Sequence, residues 1–272
     1  MYDIGIMQGR ICPDQLDKLQ VYPTQNWQQE FCAAKKIGFG YIELLYGRDE
    51  SAINPLVNTS CLDGISEVIS QNDFKIHSIC ADYFTKVNFI EDSDSMTWAK
   101  LIGLLDSSVK LKAKFLIVPF FDRNFSSDPG YLKCFLEKSK DCVRNSCDNR
   151  VEICIETSSS AKEMLEAINE TGSDVKVCYD LGNAAALGYD VREEIASLGD
   201  RIALVHIKDR IKNGGPNVPL GQGDVDFELS FQALKEINYN GDFTLETAIG
   251  QQPEENAKKH YEFASELIRE IL

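Results

Sequence analysis

Glu156 ends the apolar run VEICIE, Asp180 ends VKVCYD, His206 ends ALVH and Glu246 ends FTLE. Each run is short, β-rich and nearly continuous in apolar residues. Each polar residue therefore stands where a strand buried on both faces comes to its end. Three carboxylates and one imidazole supply hard oxygen donors and a single nitrogen. That set suits one divalent metal ion, Mn²⁺ first and Mg²⁺ next. It tolerates Co²⁺ or Zn²⁺ and fits a structural thiolate zinc site poorly. Taken singly, each residue has a plainer use. A carboxylate at a strand end can cap the next helix or pair with a cation, and a lone histidine can be a hydrogen-bonded core residue. Four such residues on successive strands argue for a shared cation.

The elements that must position them repeat along the chain. Strands are expected at Asp3–Met7, Tyr41–Leu45, Lys75–Cys80, Phe115–Pro119, Val151–Glu156, Val175–Tyr179, Ile202–Ile207 and Asp242–Glu246. Amphipathic helical stretches lie between them at Trp27–Ile37, Ser60–Asn72, Ser95–Lys112, Asp128–Asn145, Ala161–Glu170, Phe227–Ile237 and Glu254–Ile271, with a short helix at Val191–Leu198. Eight strand–helix repeats predict an α/β fold, a (β/α)8 TIM barrel. The 272 residues match the roughly 250 such a barrel needs, so one domain over 1–272 is expected. A doubly wound open sheet is the runner-up, but no G-x-G-x-x-G follows the first strand. In a closed barrel the C-terminal ends of the strands line the active site, which is where the four residues fall.

Other polar residues cluster near the same ends. Arg10 follows the first strand and could bind a phosphate or carboxylate with its planar fork. Lys208 and Arg210 follow His206, and one of them could neutralise an anionic substrate; an ordinary loop charge is the alternative. Asp82, Tyr83, Phe120 and Asp122 follow strands three and four and are expected to shape the pocket, with packing or capping as an equal alternative. Residues 9–26 form a long connection that could serve as a substrate-side loop. The glycines of Gly221-Gln-Gly223 read as a turn before a helix capped by Asp224 or Asp226. His77, near the start of a strand, is expected to be structural, and His260 to pack on or near the surface.

A net charge of −15 argues against a general nucleic-acid binder, which needs a basic face. No apolar run reaches the roughly 20 residues of a membrane helix, and the N-terminal MYDIGIMQGR reads as a strand rather than a signal peptide. The nine cysteines are odd in number and form no C-x-x-C pair, so reduced thiols in a cytoplasmic protein are expected.

The segment HIKDRIKNGGPNVPLGQGDVDF, from His206 to Phe227, followed by Glu246 at the next strand end, resembles the sugar phosphate isomerase/epimerase family of xylose-isomerase-like barrels. The stretch Asp180-Leu-Gly-Asn183 resembles its L-ribulose/L-xylulose 5-phosphate 3-epimerase branch. The resemblance covers the chain in strand order and is specific from Val151 to Glu246. It implies Glu156, Asp180, His206 and Glu246 as metal ligands, and a small sugar or sugar phosphate as substrate. Epimerisation beside a carbonyl needs a base, an electrophile and an acid; Glu156 and Glu246 would share the acid and base roles. Asn183 stands where some relatives carry a substrate-contacting histidine. Relatives are often dimers or tetramers, which allows a homo-oligomer. Three alternatives remain: a metal-dependent dehydratase of a keto-inositol or dehydroshikimate-like substrate, an endonuclease IV-like repair enzyme, and a non-catalytic sugar-binding barrel. The repair enzyme would need several histidines, and the chain has three.

Overall fold

The computed structural model describes all residues except 1, 17, 49–53, 58–61, 87–88, 90–94, 122–129 and 147–149. Asp122 and the first residues of the helices expected from Ser60 and Asp128 lie outside the described residues. Eight parallel strands close into a barrel. They are β1 (Ile4–Met7), β2 (Tyr41–Leu45), β3 (Ile76–Cys80), β4 (Phe115–Phe120), β5 (Glu152–Thr157), β6 (Lys176–Asp180), β7 (Ile202–Ile207) and, after a two-strand ribbon, β10 (Asp242–Leu245). Each strand pairs with its chain neighbour, and β1 pairs with β10 to close the ring. The expected TIM barrel is therefore the observed fold.

The helices run α1 (Trp27–Ile37), α2 (Leu62–Asn72), α3 (Ser95–Lys110), α4 (Gly130–Asn145), α5 (Ala161–Thr171), α6 (Leu181–Leu187), α7 (Val191–Leu198), α8 (Phe227–Glu236) and α9 (Pro253–Ile271). Local chemistry sets their ends. Ser160 and Glu163 form a reciprocal capping box at the start of α5. Asp226, not Asp224, caps α8 by accepting from the Leu229 amide at 2.9 Å. Helix α3 stops at Lys110, two residues short of expectation, because Lys112 turns into the left-handed region with φ 58°. One helix and a two-strand ribbon were not expected. Helix α6 starts directly from Asp180, and β8 (Asp209–Arg210) pairs antiparallel with β9 (Asn217–Val218) in the connection after β7.

Side chains alternate across each strand, and the alternation sorts the core. Phe115, Ile117, Cys154, Cys178 and Leu204 form one buried cluster inside the ring. Met7, Leu45 and Cys80 form another. The large apolar cluster between strands and helices takes the other parity, for example Leu116, Val118, Ile153, Ile155 and Val205. Tyr41 crosses the ring interior beside Gly5, where an added Cβ would meet its Cε2 at 2.0 Å. Its hydroxyl donates to the Phe243 carbonyl at 2.8 Å.

Candidate active site

The inner parity carries the cluster upward to the barrel mouth. Glu156, Asp180 and His206 each lie two residues beyond Cys154, Cys178 and Leu204, so they share the inner face. Strand register aligns them: Asp180 is opposite His206, and Thr244 is opposite His206 on the other side, two residues before Glu246. One ligand atom from each of Glu156, Asp180, His206 and Glu246 lies within 4.8 Å of the others. All four are buried, with exposures of 0% to 5%. The Nδ1 of His206 is 2.9 Å from Glu246 Oε2 and 3.8 Å from Glu156 Oε2. Three carboxylates and an imidazole nitrogen turned toward one another fit a divalent cation by donor type and convergence.

Each ligand candidate is held by something else as well. Asp180 caps α6, its Oδ1 accepting from the Asn183 amide at 2.7 Å. Glu156 Oε1 accepts from Asn183 Nδ2 at 3.3 Å. Glu246 Oε1 accepts from Gln20 Nε2 at 2.8 Å and lies 3.0 Å from Lys208 Nζ. Lys208 also reaches Asp180 Oδ2 at 2.8 Å. Its stem runs against Gly182, where an added Cβ would come 2.9 Å from Lys208 Cγ, so the glycine of the Asp180–Asn183 stretch makes room for the lysine.

These surroundings push the two glutamates apart. Burial raises the Glu156 carboxyl to about 8, with His206 opposing and the neighbouring carboxylates reinforcing the rise. Burial would raise Glu246 too, but Lys208, the hydrogen bond to His206 and Arg10 together hold it well below the ordinary carboxylate range. Burial disfavours the Lys208 charge, yet Asp180 and Glu246 outweigh it and keep the ammonium protonated.

The other expected residues divide. Arg10 is 2% exposed, donates to Gln20 Oε1 at 2.7 Å and lies 3.8 Å from Glu246 Oε1. Lys208 is not a loop charge but sits inside the cluster. Arg210 Nη1 donates to Asn183 Oδ1 at 2.8 Å while its other donors bind the Gly215 carbonyl. Asp82 is buried but paired with Arg48 Nε at 2.7 Å. Burial raises the Asp82 carboxyl and Arg48 counters it. Phe120, expected to shape the pocket or to pack, has the outward parity and packs its ring on Phe135 at 4.8 Å, away from the mouth. His77 packs against the Tyr41 and Phe115 rings and lies 3.3 Å from Asp242.

Sequence reasoning missed Glu43, Gln20, Glu30 and Arg48. Glu43 is wholly buried in the middle of β2, with Oε1 3.1 Å from His206 Nε2. A charged residue inside the apolar run YIELL was its signal. Glu30 on α1 accepts from the Gly9 and Ile11 amides at 2.9 Å and so pins the start of the 9–26 connection that delivers Gln20. Nothing in sequence spacing marks Gln20 or Arg48.

Residues 31–267 match the family model described as xylose isomerase-like TIM barrel. The chain belongs to the xylose isomerase-like TIM barrel family. A family relative from Haemophilus influenzae, provisionally named L-ribulose-5-phosphate 3-epimerase SgbU, is 26% identical over 240 residues, covering 81% of this chain and 83% of that protein. Among solved structures of this fold, the IolI protein with a binding zinc atom superposes with TM-score 0.75 at 16% identity, covering 99% of both chains. D-Psicose 3-epimerase with D-tagatose from Clostridium cellulolyticum H10 does so with TM-score 0.75 at 13% identity, covering 98% of this chain and 99% of that one. At those identities the superpositions establish the fold. The expected enzyme class, an isomerase, agrees with relatives that are themselves named epimerases. Among the described residues no helix is long and apolar enough to cross a membrane.

Proposed function

We propose that the chain is a divalent-metal-dependent epimerase or isomerase of a small sugar or sugar phosphate. Glu156, Asp180, His206 and Glu246 would hold the ion, with Mn²⁺ the best match to the donor set. The ion would supply a Lewis acid for the carbonyl and hydroxyl oxygens of the substrate. The observation that carries the reading is the pair Glu156 and Glu246. Both turn toward the same ring nitrogen of His206, while their surroundings separate their proton affinities. Two titratable groups held apart in this way are suited to complementary acid and base work.

Glu246, kept ionised by Lys208, His206 and Arg10, removes the proton beside the carbonyl. Glu156, whose surroundings favour its protonated form more than those of Glu246 do, returns a proton to the sugar. In the reverse direction the roles exchange. Asn183 steers Glu156 through its amide and is itself steered by Arg210. Arg10, Asn183 and Lys208 are the substrate contacts best supported by their distance to the two carboxylates. Arg210 would act through Asn183, and Asp82 through the Arg48 pair at the rim. Strands drawn from Ile4 to Leu245 support a single catalytic domain over 1–272. Seven described cysteines that are all free thiols support a cytoplasmic enzyme.

The test is incubation of Mn²⁺-loaded protein with a panel of ketoses and ketose phosphates in D₂O. Deuterium beside the carbonyl identifies both substrate and carbon. A product lighter by one water would assign a dehydratase instead. Absence of exchange across the panel, with metal bound, would leave a binding protein.

A further inference from the structure

The buried carboxylate of Glu43 has no place in the acid and base steps above, and its surroundings ask for a reason. It lies in the middle of β2 with 0% exposure, inside the ring of strands. The described groups bonded to it are His206, Ser78 and Thr244, none of them a lysine or arginine. A carboxylate in such a place is expensive to bury, and an apolar side chain like its neighbours Leu45 and Met7 would fill the ring at lower cost. Resting on the reading of Glu156, Asp180, His206 and Glu246 as one cation site, we propose that Glu43 is a positioning residue that sets the tautomer and orientation of His206.

The imidazole has two nitrogens with opposite duties. Nε2 lies 3.1 Å from Glu43 Oε1 and 3.3 Å from Oε2. Nδ1 faces the other way, toward Glu246 and Glu156. A neutral imidazole that donates Nε2–H to Glu43 presents the Nδ1 lone pair to the ligand cluster, which is the form a cation requires. Glu43 is itself held. Its Oε2 accepts from Ser78 Oγ on β3 at 2.6 Å and from Thr244 Oγ1 on β10 at 3.5 Å. Thr244 Oγ1 is 2.9 Å from the Tyr41 hydroxyl, which is anchored on the Phe243 carbonyl. Residues of two neighbouring strands, Ser78 and Thr244, thus hold the carboxylate beside His206. Partners of this kind typically contribute about 10- to 100-fold to metal affinity.

The experiment reads the nitrogens directly and does not rely on turnover. In Zn²⁺-loaded wild-type protein, long-range ¹⁵N–¹H correlation spectra should show His206 with a protonated Nε2 and a liganded Nδ1. Metal-stripped Glu43→Leu and Glu43→Gln are then titrated with Mn²⁺ by calorimetry. Affinity should fall about 10- to 100-fold in Glu43→Leu and less in Glu43→Gln, whose amide oxygen still accepts the Nε2 proton. Thermal unfolding of the metal-free variants separates the alternatives. A purely structural Glu43 predicts a lower Tm with wild-type Mn²⁺ affinity, which would overturn the proposal. An unprotonated Nε2 in the Zn²⁺-loaded wild type would overturn it as well. If Glu43→Leu does not fold, the wild-type spectra and the Mn²⁺ affinity of Ser78→Ala decide, with a measurable fall expected. A wild-type protein that takes up neither ion would remove the cation-site reading itself, an outcome distinct from equal affinities across the variants.

Discussion

Lys208→Met separates the charge of the lysine from its volume. Met fills most of the same space and keeps the apolar stem, but removes the ammonium that lies 2.8 Å from Asp180 and 3.0 Å from Glu246. Without metal, the cluster is left with one uncompensated negative charge in a site only a few per cent exposed. Breaking a buried ion pair from one side costs about 3–5 kcal/mol. The protein can limit that loss by taking up one proton. At pH 7, protonating a carboxyl of ordinary value near 4.3 costs about 3.7 kcal/mol, at 1.36 kcal/mol per pH unit. The two figures agree, so about 3.7 kcal/mol is the expected destabilisation. With about 2.1 cal/mol/K of unfolding entropy per residue over 272 residues, Tm should fall by about 6 °C.

The pH dependence is the sharper test. Glu246 is held below its unfolded value, so its contribution is present above the unfolded value and lost as pH falls through the folded one. The variant reaches that neutralised state at higher pH than the wild type. At pH 5 the proton costs only about 1 kcal/mol, and the Tm difference should shrink to about 2 °C. Scanning calorimetry of EDTA-treated wild type and variant at pH 7 and pH 5 measures both. A Tm difference that is absent at pH 7, or equally large at pH 5, would refute the electrostatic account of Lys208.

Further outcomes follow from the same geometry. Glu156→Gln and Glu246→Gln should each lower deuterium exchange into substrate by at least about 10²-fold, with the barrel still folded by circular dichroism. Full exchange in both would take them out of the acid and base roles. Because the Glu156 carboxyl is raised to about 8, the folded metal-free protein holds a proton that the unfolded chain releases above about 4.5. Its contribution to stability should therefore decline as pH rises from about 5 to 8, and Glu156→Gln should flatten that part of the stability curve. Mn²⁺ binding at pH 7 should release more than one proton, that of the Glu156 carboxyl and the one His206 keeps against its burial because of the neighbouring groups, read by calorimetry in buffers of different ionisation enthalpy. Gly182→Ala should push Lys208 aside and lower Tm with the pH pattern of Lys208→Met; adding it to Lys208→Met should change little further.

Most of the barrel was legible in the sequence because strands buried on both faces leave continuous apolar runs. Their ends were readable to within a residue: Asp180 closes β6, whereas Glu246 lies one residue past β10. The four candidate ligands were visible because each interrupts such a run at its end. Glu43 was overlooked because it interrupts a run in the middle, where only the ring interior gives it a role. Helix α6 was missed because LGNAAAL is too short for a helical period to show, and its start depends on Asp180, already read as a strand residue. Gln20 and Arg48 come from connections whose path is set by tertiary contacts, the Glu30 carboxylate for one and Asp82 for the other. Parity decides between the two roles open to Phe120: a one-residue shift along a strand moves a side chain from the mouth to the helix layer, and Phe120 takes the packing role.

The Asp180 carboxylate would limit which ions the proposed site could take. One of its oxygens is committed to starting α6, one of Glu156 is engaged by Asn183, and one of Glu246 is engaged by Gln20 and Lys208. Each acid therefore has at most one oxygen to offer, and that of Asp180 is shared with Lys208 at 2.8 Å. Ca²⁺ gathers six to eight oxygens and favours forked carboxylates, so it would find too few here. A smaller ion content with sparse ligation would keep coordination positions open, and those vacancies are the room in which a sugar could bind.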